Sequence, residues 1–319
     1  METLFRTEVK FPQSEWKINY QSQMMAFGSC FAENIGEKLQ NAYFKINTNP
    51  FGVLFNPVSV LQSVDYLLND KIFDENDIFN HSSLWHSFSH SSKFSAVSPL
   101  DTLLNINEKL QQARNDFQNT DILIFTFGTA WIYEYAETGQ TVANCHKLPA
   151  NNFIRRRLSV EEIVENFLAL LEKITNKCSE IKFVFTVSPV RHFKDGAVEN
   201  SLSKATLLLA VNKIVKHCKS AVYFPSYEIV NDELRDYRFY ASDMLHPSDT
   251  AIDYIWQRFS ETFFTAETNI LRQRLEQFFA SKSHRPLHPD TPEYHRFLED
   301  IKKNKTLLIK EFAFLEGRL

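Results

Sequence analysis

The chain has 319 residues, 44% hydrophobic and 23% charged, enough for one large α/β domain with an extension and no need of a second independent domain. A formal net charge of −4 argues against general nucleic-acid binding, and no run is long and apolar enough to span a bilayer. The first residues lack the basic and apolar regions of a secretory signal and the four cysteines show no Cys-x-x-Cys spacing, so a cytoplasmic protein with reduced, mostly buried thiols is expected.

Residues 1–22 read as an arm whose Phe5, Phe11, Pro12 and Trp16 lie over a domain spanning 23–265, with 266–319 as a helical extension packed on it. Met24-Met25-Ala26-Phe27 has the character of a buried strand, and Phe31, Ile35 and Leu39 follow at helical spacing. Ser29 therefore stands at a strand-to-helix turn. There it is either an ordinary N-cap or an exposed hydroxyl beside free helix N–H groups. A second strand is predicted over 43–47. It runs into Asn49-Pro50-Phe51-Gly52, where Gly52 is a turn residue, an oxyanion donor, or both. Pro57 opens a helix over 57–69.

The serine-rich stretch 80–98 has neither period and reads as a loop or short hairpin bordering a cleft, with Trp85 as a wall and His86 as a substrate contact. His86 and His90 are four apart, but no Glu follows His86, so no metal site is expected. A helix over 102–118 leads to the apolar run 121–127, a central parallel strand ending in Gly128-Thr129-Ala130-Trp131. Residues 138–147 form an inserted hairpin and loop carrying Asn144, Cys145 and His146. Adjacent residues of an extended loop point opposite ways, so Cys145 and His146 do not make a nucleophile pair. The run Arg155-Arg156-Arg157 reads as a solvated face. A helix over 160–176 and a strand over 181–187 follow. That strand feeds Ser188-Pro189-Val190-Arg191-His192, which leaves the sheet on the side of Ser29. The planar fork of Arg191 suits a substrate carboxylate or phosphate, or an ion pair with a loop acid. A helix over 201–218, a strand over 221–224 and a helical stretch over 227–235 complete the repeats.

Asp243-x-x-His246 precedes Pro247, Ser248 and Asp249 and the helical period of Ile252, Ile255, Trp256 and Phe259. A loop entering a helix can turn the carboxylate onto imidazole Nδ1 and leave Nε2 free. A serine hydroxyl is a weak nucleophile and needs such a base, held in one tautomer by a partner. Five β–α units predict a three-layer α/β/α sandwich with a five-stranded parallel sheet ordered 2-1-3-4-5, flavodoxin-like. Ser29, His246 and Asp243 are the expected nucleophile, base and orienting acid. Trp85, His86, Asn144, His146, Arg191 and His192 are candidates for the substrate pocket. No cofactor or metal is implied.

Gly28-Ser29-Cys30-Phe31-Ala32 resembles the name-giving motif of the GSCFA family, a branch similar to the GDSL or SGNH hydrolases. The resemblance runs from about 20 to 260 through Asn49-Pro50-Phe51-Gly52, Phe127-Gly128-Thr129-Ala130-Trp131, Ala143-Asn144-Cys145-His146-Lys147, Ser188-Pro189-Val190-Arg191-His192 and the Asp243 to His246 loop. It implies a serine esterase acting on a small acyl or acetyl ester, by analogy on a carbohydrate. One departure stands out: such enzymes carry Gly-x-Asn where this chain has Gly128-Thr129-Ala130. The N–H groups of Ser29 and Gly52, with Thr129, are then the expected oxyanion donors, and Asn56 or Asn144 are substitutes from other loops. An acyltransferase using the same residues, or a binding module that keeps the cleft, are the other readings.

Overall fold

In a computed structural model, which describes residues 7–319, the apolar runs assemble side by side as β1 (Gln23–Gly28), β2 (Lys45–Thr48), β5 (Ile122–Phe127), β9 (Lys182–Val187) and β10 (Ala221–Tyr223). Their spatial order is β2-β1-β5-β9-β10, every pair parallel, which is the 2-1-3-4-5 order expected for five sheet strands. β5 is buried along its whole length because helices cover both faces of the sheet. Alternation sorts the side chains between two cores. Phe27, Leu123, Phe125, Phe183 and Phe185 face one core with residues of α2 (Pro57–Leu68), α3 (Pro99–Gln118), α4 (Val160–Lys177) and α5 (Gly196–His217). Ala26, Ile122, Ile124 and Val184 face the other with α1 (Cys30–Asn41), α7 (Asp249–Phe263), α8 (Ala266–Lys282) and α9 (Pro292–Glu311).

Smaller elements lie at the carboxyl ends of the strands. β3 (Phe79–His81) and β4 (Leu84–His86) form a hairpin, and β6 (Trp131–Tyr135), β7 (Thr141–Val142) and β8 (Phe153–Arg157) form an antiparallel sheet ordered β7-β6-β8. Since β6 begins three residues after Gly128, this sheet rises directly above the end of β5. The short α6 (Ser226–Glu228) runs on into a π-helical turn, Ile229–Glu233.

Trp16 and Tyr20 before β1, and the residues after α9, pack on the second core. Trp16 stacks on Phe263 with centroids 5.5 Å apart, and Tyr20 stacks on Phe44 and Phe314. Arg318 donates to the carbonyls of Tyr20 and Tyr43. Phe5 of the expected arm lies outside the described residues. Three local expectations are corrected. The second strand starts at Lys45 because Tyr43 has φ of 62°, incompatible with a strand. The Arg155 to Arg157 run is not merely solvated: Arg155 pairs with Asp195, Arg156 with Glu134 and Glu162, and Arg157 with Glu199. The four cysteines are free, but Cys178 is exposed and the others only half-buried. Among the described residues no helix is long and apolar enough to cross a membrane, and no cluster of His, Cys, Asp and Glu is arranged to hold a metal.

Candidate active site

β1 ends in Gly28, whose φ of +148° and tight surroundings admit only glycine: a Cβ there would lie 2.1 Å from the carbonyl oxygen of Thr126 on β5. That close approach delivers Ser29 to the N-cap of α1 with its carbonyl accepting from Ala32 N–H at 2.8 Å. Its hydroxyl makes no capping bond. Instead Ser29 Oγ is fully buried and has no hydrogen-bond partner, which an ordinary N-cap serine would not tolerate without cost.

His246 and Asp243 are bound as the sequence pattern expects. Nδ1 of His246 donates to Asp243 Oδ2 at 2.6 Å, while Oδ1 accepts from the N–H groups of Leu245 at 2.9 Å and His246 at 3.0 Å. Met244 makes the turn possible with φ of 59°. The backbone donors, first of them His246 N–H, hold the Asp243 carboxyl down to about 2, so it is a carboxylate at any working pH. Nε2 of His246 is the nitrogen left over. A backbone bond from Arg191 N–H to Leu245 O at 3.4 Å ties this loop to the segment leaving β9.

That segment carries His192, and the space around Gly128 joins it to Ser29. A Cβ placed on Gly128 would be 3.1 Å from the Phe55 carbonyl oxygen, 3.2 Å from His192 Nε2 and 3.3 Å from Ser29 Cβ. Like Ser29 Oγ, His192 Nε2 is buried without a partner. The ring is set by Asn200 Oδ1, which accepts its backbone N–H at 2.9 Å, and by the edge-on ring of Phe55 at 5.6 Å. Burial lowers the His192 pKa to about 4, with the charges of Lys204 and His246 adding to the effect, so the imidazole is neutral near pH 7.

The expected oxyanion donors are already engaged. Ser29 N–H donates to Thr126 O at 3.2 Å and Gly52 N–H closes a turn on Asn49 O at 2.7 Å. Thr129 N–H, like that of Gly128, is given to Phe55 O; its hydroxyl bonds Ser203 Oγ at 3.1 Å and accepts from Trp131 N–H. Asn56 caps α2, accepting Ser59 N–H. Asn49 behaves differently: Oδ1 accepts Gly28 N–H at 2.8 Å and Nδ2 is buried with no partner.

Two clefts flank the site. One, of about 610 Å³, is lined by Phe55, Trp131, Tyr133 and Phe153 together with Asn144, Arg155 and His192. The other, of about 520 Å³, holds Arg191, Tyr237, Tyr240 and Asp243. Arg191 and His192 thus face opposite clefts, as neighbours on an extended segment do, and Arg191 donates to Asn231 Oδ1 at 2.9 Å rather than to a loop acid. Trp85, His86 and His146 are not brought to either cleft. The rings of His86 and His146 lie 4.4 Å apart in a buried cluster. There His86 bonds Ser95 Oγ and His81 O, and His146 Nε2 donates to Ser87 O at 2.8 Å. Every one of those ring nitrogens is spent on the serine-rich segment itself. Trp85 packs on the core below it.

Lys204 was not anticipated. It is fully buried on α5, where Nζ donates to the carbonyls of Gly128 at 2.6 Å and Ser188 at 2.7 Å, clamping the ends of β5 and β9, and burial pushes its pKa down to about 7. The signal for it was a lysine in the apolar stripe shared with Leu207, Val211 and Ile214.

The profile of the GSCFA family matches residues 23–259. No curated protein matches the sequence. Among solved structures, an acetyl xylan esterase of Butyrivibrio proteoclasticus superposes with a TM-score of 0.38 at 9% identity, covering 80% of this chain, and the chain spans only 65% of that protein's length. A family 3 carbohydrate esterase of Clostridium thermocellum superposes at 0.34 with 13% identity, covering 79% of this chain and 98% of that one. One from Talaromyces cellulolyticus superposes at 0.36 with 8% identity, covering 79% and 99%. Superpositions this loose carry no argument about activity.

Proposed function

The chain belongs to the GSCFA family, and from that premise we propose that it is a serine esterase of the SGNH kind that removes a small acyl group through Ser29, His246 and Asp243. The observation that carries the reading is the Asp243–His246 pair, hydrogen-bonded at 2.6 Å with Nε2 free. It is held by the Arg191–Leu245 backbone bond beside the loop that reaches Ser29, a serine whose hydroxyl has no other task. In this reaction Ser29 Oγ attacks the ester carbonyl as its proton passes to His246 Nε2. Asp243 keeps the imidazole in the Nδ1–H tautomer and stabilises the imidazolium. The imidazolium then returns the proton to the departing alcohol, and water repeats the sequence on the acyl-enzyme. The tight enclosure of Ser29 by Gly128 and His192 favours an acetyl-sized acyl group. The aromatic and polar side chains lining the larger cleft suit a carbohydrate carrying it.

Hydrolysis of p-nitrophenyl acetate, butyrate and octanoate and of an acetylated xylo-oligosaccharide tests this. We expect kcat/KM to fall steadily with acyl length and to vanish in Ser29→Ala. Equal rates for all acyl lengths, or full activity in Ser29→Ala, would overturn it. The burial of Ser29 and the engaged backbone donors favour a second reading, a binding module that retains the cleft. That reading is the one left if no ester is cleaved while acetylated sugars still bind.

A further inference from the structure

The chemistry of an ester hydrolase needs hydrogen-bond donors aimed at the oxygen that becomes negative. Here the backbone N–H groups expected to do so are committed to Thr126, Asn49 and Phe55 carbonyls, and the Thr129 hydroxyl is tied to Ser203 and Trp131. Where Gly-x-Asn would supply an amide, Ala130 is fully buried and offers nothing. What occupies the space beside Gly128 is the His192 imidazole, its Nε2 3.2 Å from the vacant Cβ position that Ser29 Cβ approaches to 3.3 Å. Both Ser29 Oγ and His192 Nε2 are buried and unpartnered.

From this juxtaposition we propose that His192 serves as a side-chain oxyanion donor of the site, alongside the unpartnered Nδ2 of Asn49, whose Oδ1 accepts Gly28 N–H. The inference rests on the esterase reading above. When Ser29 Oγ bonds to the carbonyl carbon, the π pair moves onto the carbonyl oxygen, and the Ser29 proton goes to His246. His192 gives a hydrogen bond from Nε2–H to that oxygen and keeps its own proton throughout. The C–O bond to the alcohol then breaks, with the alcohol taking the proton from His246. A neutral imidazole serves this role better than an imidazolium, because an acid that is too strong would hand over its proton; burial, reinforced by the Lys204 and His246 charges, keeps this ring neutral. The ring also lines the 610 Å³ cleft, the side from which a substrate would meet it. Glycine at 128 is what lets the imidazole come so near.

The test compares His192→Ala, His192→Gln and Ser29→Ala with the wild type on p-nitrophenyl acetate, with kcat, KM and the pH profile measured on protein shown folded by its melting temperature. We expect His192→Ala to lower kcat about a hundredfold or more while KM changes less than about threefold. The acid limb of the profile should persist, because the base is His246. His192→Gln, which restores a neutral N–H donor, should recover at least about tenfold of the loss. Should His192→Ala fail to fold, His192→Leu takes its place: a loss of about a hundredfold beside a better-preserved His192→Gln supports a donor role, and equal activity in the two overturns it. A His192→Ala enzyme as fast as wild type beside an inactive Ser29→Ala sinks this proposal and spares the esterase reading. Disappearance of the acid limb in His192→Ala would make His192 the base instead, also overturning it. A wild type that cleaves no ester removes the parent reading itself.

Discussion

His90 offers a quantitative test of the claim that the histidines of the serine-rich segment support structure rather than bind substrate. Its ring is 2% exposed, stacked on Phe51 at 4.9 Å and met by Phe73 at 4.8 Å and Phe94 at 5.0 Å, with Nδ1 bonded to Ser87 Oγ. Burial, with the nearby His146 adding to it, lowers its pKa from 6.5 to about 3. A depressed pKa means that the unfolded chain takes up the proton first. Stability is therefore whole above 6.5 and is lost as pH falls from there towards 3. Between about pH 7 and pH 5 the unfolded imidazole becomes almost fully protonated while the folded one does not, and the linkage integral for this single group is about 2 kcal/mol. Urea unfolding followed by tryptophan fluorescence at both pH values, on wild type and His90→Gln, isolates that term, because contributions from His146 and His192 remain in both proteins. The variant should be less stable at neutral pH yet lose about 2 kcal/mol less than wild type on acidification. An identical pH response in the two proteins would refute the reasoning.

Other predictions follow from the site. Gly28→Ala places a methyl group 2.1 Å from Thr126 O at positive φ, so at least about 3 kcal/mol of stability should be lost, visible as a lowered melting temperature or insoluble expression. Asp243→Asn removes the partner that fixes the tautomer at a surface-exposed pair, and kcat should drop by roughly three to four orders of magnitude with the melting temperature nearly unchanged. Because backbone N–H bonds hold the Asp243 carboxyl at about 2, this carboxylate should contribute no acid limb to kcat/KM above about pH 4. A limb near pH 4 that survives in His192→Gln, where the buried imidazole held at about 4 is gone, would contradict that geometry.

The parallel strands were readable because each central strand is a largely apolar run closed by Gly or Ser, and Asp243 and His246 were readable because their geometry is local, set within four residues. The oxyanion donors were not. Whether Thr129 is free depends on Ser203, 74 residues away, and whether Gly52 N–H is free depends on the turn that Asn49 and Pro50 choose. Likewise, nothing in the spacing of His86, His90 and His146 distinguishes a histidine facing a cleft from one satisfied by neighbouring serines. Lys204 broke an apolar stripe and so was visible in principle, but its carbonyl partners lie at the ends of two strands that only the fold brings together.

The central claim is that Ser29 is an activated nucleophile. Labelling of the intact protein with a fluorophosphonate, followed by peptide mapping, tests it most directly. The account predicts one adduct, on Ser29, that is absent in Ser29→Ala and at least about a hundredfold slower in His246→Ala. Folded wild-type protein that stays unlabelled, or an adduct that forms equally fast without His246, would contradict it.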